Sequence, residues 1–112
     1  MHAPRPDNEA GRLAALRRTR VLDTAPEDAF DSITRLAASL CDAPIALISL
    51  IDDERQWFKS VHGPVGVTQT PRAIAFCAHA ILSAGLTEVR DAQHDQRFRD
   101  NPLVRGAPGI RF

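Results

Sequence analysis

The side chains best suited to chemistry fall in two short stretches, Phe76-Cys-Ala-His79 and Asp91-Ala-Gln-His-Asp-Gln-Arg97. Thiolate and imidazole are good ligands for soft metals, so Cys77 and His79 invite a metal reading. Two residues apart on a helix, however, they point to nearly opposite sides and do not chelate one ion unless the segment unwinds. Cys77 therefore reads as a small buried hydrophobe. His79 reads either as a ligand-facing or switching group or as a capping or surface histidine. Asp91, His94 and Asp95 follow a predicted strand end, where carboxylates and an imidazole can hold a divalent cation or a polar ligand. The plainer alternative is that Asp91 caps a turn and Asp95 caps a short helix carrying Arg97 and Phe98. Arg72 and Arg97 can neutralise an acidic ligand through paired N–H donors, or pair with nearby aspartates. Trp57 and Phe58 read as packing rather than a stacking platform. The chain contains no GxSxG, HExxH or phosphate loop and no nucleophile beside an evident base, so it offers no catalytic constellation, no metal site and no required cofactor.

The elements that position these groups belong to a chain of 112 residues with 44% hydrophobic content, enough for one domain. Fourteen Lys and Arg balance fourteen Asp and Glu. That balance argues against nucleic acid or an anionic membrane as partner. The first residues lack the apolar core of a secretion signal and no apolar run is long enough to span a bilayer, which predicts a cytoplasmic protein. Two cysteines, Cys41 and Cys77, are too few for a disulfide framework and predict free thiols.

Residues 1–8 read as a disordered tail, with Asp7 or Asn8 capping a helix over Glu9–Arg20. Thr24-Ala-Pro-Glu27 reads as a capping box that starts a second helix at Ala25. Phe30, Ile33, Leu36, Ala37, Leu40 and Cys41 form its predicted core face, and Pro44 stops it. Ile45–Ile51 suits a central strand buried on both faces, and Gln56–Val61 a more exposed partner in an antiparallel hairpin, with Lys59 at an edge position. Residues 62–72 read as loop, 74–82 as a helix ended by Gly85, and 86–89 as a third strand. Asn101-Pro102 breaks the polar stretch beyond Asp91. This order predicts an α+β fold, a hairpin-built antiparallel sheet with helices against it.

Taken together, several stretches resemble the GAF domain at the N-terminus of bacterial sensor histidine kinases and diguanylate cyclases. They are Arg20-Val-Leu-Asp-Thr24 leading into Phe30-Asp31, Pro44 to Asp52 followed by Gln56-Trp-Phe-Lys-Ser60, Pro71-Arg72 with Phe76-Cys-Ala-His-Ala-Ile81, and Val89-Arg-Asp-Ala92 running on to Asp95-Gln-Arg-Phe98 and Asn101-Pro-Leu103. The resemblance covers residues 9–112 and implies a six-stranded antiparallel sheet with a small-molecule pocket between the sheet and the segments after its second and third strands. Carried onto that pocket, Phe76, Cys77, His79, Asp91, Asp95 and Arg97 are the candidate ligand-binding residues. It further implies a regulatory role, in which ligand binding shifts helices joined to a kinase or cyclase output module.

In the family the sheet continues past Ile110-Arg-Phe112, so the resemblance also implies a truncated domain: about three strands and the start of a fourth. The expected partners are an unidentified small molecule and a second copy or complementing chain on the open sheet edge. Two other functions fit the same residues: an enzyme that reduces free methionine sulfoxide through cysteines, or an assembly module that pairs through its sheet edge.

Overall fold

The computed structural model describes residues 2–106 and 109–110. Among these residues four α-helices, α1 (Glu9–Thr19), α2 (Asp28–Leu40), α3 (Phe76–Ala80) and α4 (Pro102–Arg105), accompany three strands, β1 (Ala46–Ile51), β2 (Arg55–His62) and β3 (Gln69–Pro71). The strands form one antiparallel sheet in the order β1-β2-β3. The fold is therefore α+β, as the element order predicts. The expected opening of a fourth strand falls largely on Arg111 and Phe112, outside the described residues; Ile110 donates its N–H to the carbonyl of Leu103.

The predicted hairpin is present, but its two strands exchange roles. β2, not β1, is central and buried from Gln56 to Ser60, whereas β1 is half-buried over most of its length. What pairs the far edge of β2 is β3, a strand inside the stretch expected to be loop. The expected strand at 86–89 is an irregular segment without ladder partners among the described residues. Three residues at an edge carry too little periodicity for β3 to be read from sequence.

Lys59 is not at an edge. Ile48 pairs with Ser60 and Ser49 with Phe58, so Lys59 is the extra residue of a bulge in β2. The bulge lets Lys59 and Ser60 face the same way, towards α2, while Gln56 and Phe58 face the opposite side. The Lys59 side chain is only 1% exposed. Its ammonium donates to Thr24 Oγ1 and the Ala25 carbonyl at 2.7 and 2.6 Å, pairs with Glu27 at 2.6 Å, and lies 5.3 Å from the Phe30 ring centroid. Thr24 is thus held by Lys59 and by donating to the Val21 carbonyl, not by a capping box. The helix accordingly starts at Asp28, three residues later than predicted, with Glu27 in the N-cap position.

The same contacts rotate α2. Thr34 and Ser60 share a hydroxyl hydrogen bond of 2.9 Å, and Ser60 donates to Asp31 Oδ1 at 2.6 Å. The row Asp31–Thr34–Ala38 therefore meets the sheet, and Ile33, Leu36, Ala37 and Leu40 are exposed. Cys41, expected on the core face, is exposed as well. A run of apolar residues at helical spacing marked the neighbouring stripe, and hydrogen bonding chose the other.

α1 follows its predicted span, with Arg20 in the left-handed region closing it. Leu13 is its one buried apolar residue among those described, so charge does most of the attachment. Glu9 accepts from Arg72 and Arg12; Arg72 also donates to the carbonyls of Asp52 and Asp53, and Arg12 to that of Ile51. Before the helix, Arg5 pairs with Glu9, Asp53 and Glu54, and Ala3 packs on the cluster of Ile51, Ala75 and Ala78.

After β2 the chain turns through two glycines whose substitutions separate two costs. Gly63 has φ +103°, and a Cβ there would lie 2.2 Å from the Pro44 carbonyl oxygen; Gly66 has φ +77° and open space. Gly66→Ala is expected to cost only the strain of a left-handed alanine, about 1 kcal/mol. Gly63→Ala adds a backbone clash and should lower stability by about 1–3 kcal/mol more. Urea unfolding of both variants checks the difference, and equal midpoints would contradict it.

Candidate functional site

The face of the sheet opposite α2 forms one wall of a cavity of about 390 Å³. Ile45 and Leu47 from β1, Gln56 and Phe58 from β2, and Thr70 from β3 provide that wall. The opposing wall is built from α3 and the irregular segment after it, with Phe76, Cys77, Ala80, Thr87, Val89, Phe98, Leu103 and Ile110; Val65 and Val67 border it from the loop after β2. The volume lies within the range typical of small-molecule sites, about 300–1,000 Å³.

Alternation along β1 and β2 places the sheet residues. Ile45, Leu47 and Ser49 share one face, and Gln56 and Phe58 share it across the ladder. α3 is a single turn and a half, shorter than the helix predicted over 74–82, because Arg72–Ile74 forms a separate 3₁₀ turn before it. Asn101 fixes that turn to the far segment by donating to the Ile74 carbonyl at 2.8 Å. Its side-chain oxygen also accepts from Leu103 N–H, so Asn101-Pro102 starts α4 rather than ending a helix.

The sequence-predicted candidates divide between cavity and surface. Phe76 and Cys77 line the cavity. Phe76 stacks on Phe98 with ring centroids 4.1 Å apart, and Cys77 Sγ accepts from Ser49 Oγ at 3.2 Å. His79 is not in the lining; its ring meets Phe98 edge-on at 4.9 Å. Arg97 places its guanidinium 4.9 Å from the Phe98 centroid and pairs with Asp95 at 2.8 Å. That pairing holds the Asp95 carboxyl below, and the Arg97 guanidinium above, the ordinary range. Asp91 accepts from the Gln93 N–H at 3.0 Å and lies 2.8 Å from His94 Nδ1. Asp91 and Asp95 therefore cap turns, and with Glu88, Arg90 and His94 they rim a shallow polar depression outside the cavity. Among the described residues no group of three His, Cys, Asp or Glu side chains is placed to hold a metal ion.

Sequence reasoning missed the sheet half of the cavity. Gln56 and Thr70, joined by a 3.0 Å hydrogen bond from Gln56 Nε2, are its most substantial polar pair, and Gln56 is 6% exposed. A glutamine in register with Phe58 on an otherwise apolar face was the available signal. No Asp, Glu, Lys, Arg or His is among the lining residues described. What this arrangement can do is enclose a molecule by apolar contact and orient it by a few neutral hydrogen-bonding groups.

The family model described as "GAF domain" matches residues 25–112. A cyclic di-GMP phosphodiesterase of Pseudomonas aeruginosa is 46% identical over 109 residues, which is 97% of this chain and 18% of that protein. The chain thus spans less than a fifth of its relative's length. No helix among the described residues is long and apolar enough to cross a membrane.

Proposed function

Because the chain belongs to the GAF domain family, we propose that it is a small-molecule-sensing regulatory module of bacterial signal transduction, and that its output is control of cyclic di-GMP turnover. The observation that carries the sensing role is the cavity between the sheet and α3, bordered by the Phe76–Phe98 stack. The output rests on the likeness to a cyclic di-GMP phosphodiesterase over nearly the whole of this chain. A histidine kinase or diguanylate cyclase output is suggested by the family resemblance alone. The proposed site of action is the cytoplasm, where cyclic di-GMP is made and degraded.

The module is proposed to bind rather than to catalyse. Its two thiols serve different faces: Cys41 is exposed beyond α2, and Cys77 is in the cavity wall. A dithiol reduction of methionine sulfoxide needs them within reach of each other.

The test is a chimera in which this chain replaces the matching segment of the Pseudomonas phosphodiesterase. Cyclic di-GMP hydrolysis should survive the exchange. Leu47→Trp, which fills the cavity, should change that rate at least twofold, whereas Leu86→Trp on an exposed position should not. Equal rates in both variants would refute the sensing role.

A further inference from the structure

We infer that the molecule the cavity accepts is uncharged and mostly hydrocarbon, with one hydrogen-bonding group that meets Gln56 and Thr70. The inference rests on the sensing role proposed above and adds the chemical class.

Three observations carry it. The lining described is dominated by aliphatic and aromatic side chains, and none of its residues is ionisable apart from the Cys77 thiol. An anion entering it would lose its hydration and gain no cation in return, which is a heavy cost. Three of the described cations are engaged elsewhere: Arg97 with Asp95, Arg72 with Glu9, and Lys59 with Glu27 on the opposite side of the sheet. A cyclic nucleotide phosphate therefore finds no cationic partner among the described lining residues. Finally, no buried side-chain nitrogen or oxygen among the described residues lacks a hydrogen-bond partner. The cavity wall thus calls for no polar ligand to complete its hydrogen bonds, and affinity must come from apolar burial.

The polar pair sets orientation. Gln56 donates one amide hydrogen to Thr70 Oγ1, and an amide has a second hydrogen and a carbonyl oxygen. A hydroxyl or carbonyl group at that end of the cavity can join the pair without displacing it, while the hydrocarbon part extends towards Leu47, Phe58 and Val67.

The experiment titrates the 112-residue chain with 1-hexanol, 1-heptanol, 1-octanol, octanoate and cyclic GMP at pH 7 by calorimetry, with urea midpoints as a second readout. Each added methylene in the alcohols should tighten binding about fourfold. Octanoate, equal in chain length but charged, should bind at least tenfold more weakly than octanol, and cyclic GMP not at all. Val67→Trp at the half-exposed border and Ala80→Phe within should each weaken octanol at least fivefold. Tighter binding of octanoate or cyclic GMP than of octanol, lost in Val67→Trp, overturns the neutral class and leaves the sensing cavity standing. Absence of binding by every probe, or octanol binding that neither variant weakens, overturns both.

Discussion

Glu9→Gln is expected to lower the stability of the chain by about 3 kcal/mol, the low end of what removing one partner of a buried ion pair costs. The reason lies with Arg72. It is 8% exposed, and its guanidinium faces Glu9 and two backbone carbonyls, those of Asp52 and Asp53. A neutral glutamine leaves that charge buried with only dipoles around it. Arg72→Ala should cost less, because Glu9 keeps the Arg12 guanidinium at 2.8 Å. Removing the acid should therefore hurt more than removing the base, an ordering that a simple count of one broken salt bridge does not give. Urea unfolding of both variants measures it, and the reverse ordering would show that the backbone carbonyls and packing around Arg72, not Glu9, compensate its charge.

The same carboxylate gives the expectation its pH dependence. Hydrogen bonds from Arg12 and then Arg72 hold the Glu9 carboxyl far below the ordinary range. A folded-state pKa below the unfolded value means that the unfolded chain takes up the proton first. The stabilisation is therefore complete above the unfolded value of about 4.3 and falls away as the pH drops below it. Glu9→Gln should flatten that acid limb between about pH 5 and pH 3 and leave the slope above pH 6 unchanged. α1 buries Leu13 alone among its apolar residues described, so the loss should be visible as early exchange of α1 amides before the sheet opens.

What was legible in the sequence follows from which signals are local. The span of α1, the hairpin of β1 and β2, the α+β class and the turn-capping roles of Asp91 and Asp95 each depend on a few neighbouring residues. The face of α2 did not, since Ile33, Leu36 and Leu40 have the right spacing and only the Thr34–Ser60–Asp31 hydrogen bonds turn them away. Lys59 was misplaced for a related reason. A one-residue bulge reverses the inside–outside alternation from that point, and its ammonium finds partners thirty-four and thirty-five residues back along the chain. In the site, Phe76 and Cys77 were within reach of motif reasoning, whereas Gln56 and Thr70 meet only once β3 has paired.

Phe98→Ala is the other large effect expected, at about 3–5 kcal/mol. The ring is 1% exposed and clusters with Ala92 and Val104, with Phe76 and Val89 against it. Nothing near it can swing in to fill the space: Ala92 is small, Phe76 is held in α3, and Arg97 is tied to Asp95. The void would also join the ligand cavity, because Phe98 is part of its wall. Loss of stability and change of site are thus inseparable at this position, and a second substitution is needed to divide them. Phe98→Leu keeps most of the volume but no face for the 4.1 Å stack. It should recover more than half of the lost stability and still enlarge the cavity, so that a hydrocarbon ligand one or two methylenes longer than the best wild-type ligand becomes the preferred one. If Phe98→Leu were as unstable as Phe98→Ala, the aromatic stack rather than the filled volume would be what holds the far wall against the sheet.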